Sequence, residues 1–170
     1  MSQITRILVP TDFSDTSDAA LSYARTLADS LGASLHLVHV FDDPYGDALV
    51  AEMNASVYES MRATEMTQAR RRLLRRLPPA DRKQFQASTA IVTGAPAEAI
   101  VDYATDRGMD LIVMGTHGRS GFAHLLLGSV AEQVVRTATC PVLTVRAAKV
   151  EHDRVDDKAA AAVGRKTATK

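Results

Sequence analysis

Apolar residues along this chain alternate between two rhythms. Short runs bounded by proline, glycine or charged residues, "TRILVP" (5–10), "SLHLVHVF" (34–41), "FQASTAIVTG" (85–94), "DLIVMG" (110–115) and "CPVLTVR" (140–146), predict five strands. Between them the spacing becomes helical. Ala20, Leu21, Ala24, Leu27, Ala28 and Leu31 mark one face of a first helix, with Ser14 or Asp15 as its cap and Gly32 at its end. A long helical pattern runs from about Ala48 to Leu77, with Met53, Val57, Met61, Leu73, Leu74 and Leu77 as its inner face and Pro78-Pro79 as its stop. Pro96 opens a third helix in "APAEAIVDYATDRG", closed by Gly108. "SVAEQVVRTAT" predicts a fourth, opened by Ser129 with Glu132 three residues on, the spacing of a capping box.

Strands alternating with helices through short turns imply right-handed crossovers and an α/β fold with helices on both faces of the sheet. The expected architecture is a five-stranded parallel sheet of order 3-2-1-4-5, Rossmann-like, spanning residues 1–147. Residues 148–170 form a polar, alanine-rich and charged tail, expected to be mobile or a short helix. In such sheets a ligand sits beyond the carboxyl ends of the strands where the winding reverses. For this order the reversal lies between strands one and four, which brings Pro10, Thr11 and Asp12 beside Met114, Gly115 and Thr116.

Composition narrows the function classes. The 170 residues are 46% hydrophobic and 24% charged, which suits one domain with a real core. Twenty basic residues balance twenty acidic ones, so no global field argues for nucleic acid or an anionic membrane. No apolar run reaches the roughly 20 residues of a membrane helix, and "MSQITRILVP" has no signal-peptide pattern. The single cysteine, Cys140, has no internal disulfide partner, and a reducing, cytoplasmic compartment is expected.

The candidate chemistry lies in "GTHGRSGFAHLLLGS" (115–129). A helix start leaves unpaired N–H groups and a partial positive charge that attract phosphate or carboxylate. Gly128-Ser129 supplies such a start, and Gly115 and Gly118 allow close approach of backbone to a ligand. The same glycines can serve simply as turn residues, and on spacing alone both meanings stand. There is no Walker lysine and no G-x-G-x-x-G after the first strand. The spacing Gly115-x2-Gly118-x9-Gly128-Ser129 resembles the nucleotide motif of the universal stress protein family. "GTHGRSGFAHLLLGSVAEQVVRTATCPVLTVR", "ILVPTDFSDTSDAALSYA" and "VTGAPAEAIVDYA" are similar to its carboxyl-terminal, first and third segments.

The resemblance implies a nucleotide-dependent stress-response protein on an adenine nucleotide α-hydrolase-like fold. Its ligand would be ATP, or ADP or AMP, with Mg²⁺ as a companion ion. It implies Gly118, Gly128, Ser129 and the Val130 amide at the phosphates, Gly115 near the ribose, Asp12 on the ribose or a metal-bound phosphate, and Pro10, Thr11, Val40 and Met114 around the adenine. A homodimer through the edge strand Pro141–Val145 is expected both from that open edge and from the family, along with an unidentified protein partner. Two further function classes remain at this point: an ATP-using hydrolase or transferase with His117 or Arg119 acting on the γ-phosphate, and a nucleotide-free scaffold.

Other features have plain explanations. His36 and His39 lie three apart on a strand and point to opposite faces, so they do not share an ion; His117 and His124 lack an acidic partner. Ser120 lacks the G-x-S-x-G frame of a nucleophile elbow. Arg70, Arg71, Arg72, Arg75 and Arg76 are expected on the solvated outer face of the long helix. Cys140 is expected to be a small buried apolar residue.

Overall fold

The computed structural model describes residues 3–42, 55–116 and 127–146. Its elements are β1 (Arg6–Pro10), α1 (Asp15–Leu31), β2 (Ser34–Phe41), α2 (Ala55–Arg76), α3 (Pro79–Gln84), β3 (Ser88–Thr93), α4 (Pro96–Asp106), β4 (Leu111–Gly115), α5 (Ser129–Thr137) and β5 (Val142–Val145). The strands form one five-stranded sheet, β3-β2-β1-β4-β5, and every pairing is parallel, as the patterning predicts.

Alternation along each strand divides the interior into two cores. Ile7, Val9, Leu35, Leu37, Leu111 and Val113 face α1 and α2, where they meet Ala20, Leu21, Ala24, Leu73 and Leu77. Leu8, Val38, Ile112 and Met114 face α4 and α5, against Ala97, Ile100, Ala104, Ala131 and Val134. The central strand β1 is buried on both sides from Ile7 to Pro10, which is why it reads as an unbroken apolar run. Ser14 is the N-cap of α1 and accepts from Ser17 N; Gly32 ends the helix in the left-handed region at φ 65°.

Three expectations need correction. Pro78-Pro79 ends α2, but Pro79 also opens α3, a six-residue helix that carries no apolar face to betray it. On α2 the inward residues are Ala69, Leu73 and then Leu77, one turn apart, whereas Val57, Met61 and Leu74 are exposed; Met53 lies outside the described residues. The arginines are not all solvated. Arg72 and Arg76, a turn apart on the same helix, place their guanidinium carbons 4.1 and 5.0 Å from the Phe13 ring centre. Arg76 also forms a forked ion pair with Asp18, with N–O distances of 2.5 and 2.9 Å. Arg70, Arg71 and Arg75 remain exposed.

A candidate ligand cleft between β1 and β4

β1 and β4 are paired only at Ile7↔Leu111 and Leu8↔Ile112. Beyond that point each strand keeps its outer neighbour. Thr11 N donates to Val38 O at 2.8 Å, extending β1 along β2, and Thr116 N donates to Val145 O at 2.9 Å, extending β4 along β5. The two halves part because α1 leaves β1 toward one face of the sheet while α5 lies on the other. The gap is the crevice expected at a winding reversal. It encloses about 220 Å³.

Nine of the residues singled out from the sequence line this cleft: Pro10, Thr11, Asp12, Val40, Met114, Gly115, Gly128, Ser129 and Val130. His117, Gly118 and Arg119 lie outside the described residues. The lining also includes Thr116, expected beside the crevice from the strand order, and Ser17, His39, Pro96, Ile100 and Ala131, which were not expected there. Of the unexpected residues, His39 and Ala131 carried a signal, since each is the immediate neighbour of a residue already chosen.

The wall from β1 is a tight polar turn. Thr11 Oγ1 accepts from Phe13 N and lies 3.0 Å from Ser17 Oγ, so this buried hydroxyl finds its partners within the loop it shapes. Asp12 Oδ1 accepts from Ser14 N at 3.1 Å and Ser14 Oγ at 2.6 Å. Burial pushes the Asp12 carboxyl up, but hydrogen bonds from the Ser14 hydroxyl and amide, with smaller help from the Ser17 hydroxyl and the backbone of Asp12 itself, outweigh it and hold the group below its ordinary value. Asp12 is therefore an anion at neutral pH. His39 Nδ1 lies 2.8 Å from Thr11 O; a carbonyl only accepts, so Nδ1 carries the proton. Its ring packs 4.3 Å from that of Phe13.

The opposite wall is the start of α5. The capping box expected at Ser129 is not formed: the N-cap is Gly128, in extended conformation at φ −74° and ψ 157°, with no side-chain cap. Ser129 is thus the first helical residue, and Glu132 N bonds Gly128 O at 2.9 Å as the first regular helical hydrogen bond. Gly128 N donates to Thr116 O at 2.6 Å and fixes the helix start to the end of β4. The amides of Ser129, Val130 and Ala131, which have no partner within the helix, open the cleft's positive end. Gly115 answers a packing need. A Cβ there would lie 2.9 Å from Thr16 Cγ2 and 3.1 Å from the Thr16 carbonyl, so its bareness lets α1 seat against β4.

No group of three or more His, Cys, Asp or Glu side chains able to hold a metal occurs among the described residues. No helix among them is long and apolar enough to cross a membrane.

The universal stress protein family model matches residues 3–146. Universal stress protein MJ0531 of Methanocaldococcus jannaschii is 35% identical over 146 residues, covering 86% of this chain and 84% of its own. MJ0577 of the same organism is 34% identical over 152 residues, covering 83% and 94%. The solved MJ0577 structure superposes with a TM-score of 0.76 at 29% identity, covering 86% of this chain and 99% of that one. A universal stress protein crystallised in complex with cAMP gives a TM-score of 0.55 at 27% identity, covering 85% and 98%.

Proposed function

The chain belongs to the universal stress protein family, and from that premise we propose that the β1–β4 cleft binds an adenine nucleotide, ATP or its ADP and AMP forms, as the signal of a stress-response regulator. The observation that carries this reading is the junction of two features at one crevice: an uncapped helix start at Gly128–Ala131 and, facing it, an apolar slot of Pro10, Val40, Ile100 and Met114. At about 220 Å³ the cleft falls below the roughly 300–1,000 Å³ of pockets that enclose a whole small ligand. It suits the base and sugar, with the phosphates at the mouth over the α5 amides. The solved relative bound to cAMP supports the choice of an adenine ring.

Asp12 fits the ribose hydroxyls as an acceptor. As a lone carboxylate already engaged by Ser14 it does not build a metal site by itself. It fits Mg²⁺ only as one ligand beside nucleotide phosphates, the usual manner for this ion. The α5 start supplies backbone amides to hold phosphate, and the reading is one of binding rather than rapid turnover. The chain acts as a homodimer in this reading, paired through β5 at the sheet edge, within the reducing cytoplasm that suits a lone, half-buried Cys140.

Ser129→Pro tests the assignment. Proline is tolerated at the first helical position, and Gly128 already holds the extended ψ that a following proline demands. The variant keeps its helix but removes one amide and one hydroxyl. Loss of one hydrogen bond to a charged group, about 1.5–3 kcal/mol, corresponds to about 10- to 150-fold weaker ATP binding. Calorimetric titration of the wild type with ATP, ADP and AMP that gives no heat in any case ends the nucleotide reading.

A further inference from the structure

Phe13 is a buried aromatic residue at φ 67°, in the left-handed region that side-chain-bearing residues seldom adopt, and it directly follows Asp12. Such a conformation persists only where its surroundings over-determine it. Here the surroundings come from α2, a helix on the face of the sheet away from α4 and α5. Arg76 Nη2 donates to Phe13 O at 3.2 Å while its Nε and Nη2 grip the Asp18 carboxylate. Arg72 lies over the Phe13 ring. The planar fork of Arg76 therefore ties the left-handed residue to the first turns of α1, with one guanidinium serving both.

Building on the nucleotide reading, we propose that Arg76, braced by Asp18, is a positioning residue for the cleft: it locks the left-handed turn at Phe13 and through it presents the Asp12 carboxylate to the ligand. The peptide on one side of Asp12 is fixed by Thr11 N on Val38 O, and on the other by the Phe13 amide on Thr11 Oγ1 and the Phe13 carbonyl on Arg76. With the last contact removed, the backbone is free to leave the left-handed well, and Asp12 swings with it.

Two measurements on the full chain decide the matter. Amide hydrogen exchange in the ligand-free protein reads the turn directly. Arg76→Ala and the milder Arg76→Lys, which keeps the charge but not the fork, are expected to raise exchange at Phe13 and Ser14 by roughly tenfold, while Arg75→Ala leaves it unchanged. Unchanged exchange in both Arg76 variants overturns the strut. Titration with ATP reads the positioning. Arg76→Lys is expected to weaken binding by roughly tenfold in the wild-type background and to have no further effect once Asp12→Asn is present. Equal losses in both backgrounds overturn action through Asp12. A wild type that binds no ATP overturns the nucleotide reading and the positioning role with it, and the exchange result then stands only as a statement about the fold.

Discussion

Gly115→Ala separates a packing role from a ligand role at one position. The added methyl would lie 2.9 Å from Thr16 Cγ2, 3.1 Å from the Thr16 carbonyl carbon and 3.1 Å from its oxygen. Rotation of the Thr16 side chain relieves the first contact. The other two are backbone, and relieving them requires the first turn of α1 to move away from β4. Overpacking of this kind costs about 1–3 kcal/mol, which for a chain of this size lowers the melting midpoint by about 2–12 °C. Thermal unfolding followed by circular dichroism, with urea titration to check that the slope is unchanged, gives the number. Thr16→Ala added to Gly115→Ala is expected to recover only part of the loss, because the backbone contacts persist. Gly32→Ala is the matched control: its φ is 65° and nothing lies within 4 Å of the added Cβ, so it carries conformational strain alone, about 1–2 kcal/mol. A Gly115→Ala protein that melts within about 1 °C of wild type would refute the close seating of α1 on β4 and return Gly115 to a purely ligand-facing role.

Two further outcomes follow from the charges and caps. Ser14→Ala removes both the N-cap of α1 and the hydroxyl that donates to Asp12 Oδ1, the strongest of the hydrogen bonds that lower the Asp12 carboxyl, while the Ser14 amide remains. It is expected to cost about 0.5–2 kcal/mol and to raise the Asp12 midpoint in an NMR acid titration, with an unmoved midpoint refuting the assignment. His36, beside the Tyr103 hydroxyl at 3.1 Å, is held below its ordinary value by burial and then by Arg107 and Arg6. Its neutral form is the one that the fold favours, so its contribution to stability is complete above the unfolded value of 6.5 and is lost as pH falls from there through the folded value. Urea midpoints between pH 5 and 8 should fall on the acid side in wild type and do so less in His36→Asn; identical slopes refute the placement.

The strands were legible because each is a bounded apolar run, and their parallel pairing followed from the alternation of strand and helix; their order was a choice among doubly wound arrangements, which alternation alone does not make. Given the order 3-2-1-4-5, the crevice between β1 and β4 followed, so residues as distant in sequence as Asp12 and Gly115 could be assigned to one place; Val130 was added by the family resemblance. Local competition hid the rest. Six residues of α3 bear no apolar stripe, and a Pro-Pro pair signals both the end of one helix and the start of the next. On α2, Leu73 and Leu74 look equivalent in sequence, but 100° of rotation buries the first and exposes the second. The pairing of Arg72 and Arg76 with Phe13 depends on how α2 crosses α1, which no local spacing encodes. Ser129 and Gly128 differ by one position, and the fold chose the glycine as cap, leaving the amides bare where a serine would have covered one.

That last choice has an energetic meaning. A serine cap at the start of α5 would have stabilised the helix by about 1 kcal/mol; the chain goes without it at this start, which opens into the cleft, as α3 and α4 also do at theirs, while α1 keeps a Ser14 cap on the opposite wall. The two walls also belong to different cores: the Asp12 turn is anchored through Phe13 in the α1–α2 core, and the α5 start through Ala131 and Val134 in the α4–α5 core. These cores share the sheet, and beyond Leu8↔Ile112 β1 and β4 no longer hold each other. A ligand that touched both walls would therefore close a gap that backbone pairing leaves open, coupling the two faces of the sheet through itself. In the proposed regulator, that coupling is how occupancy of the cleft would be read at a distant surface, such as the β5 edge.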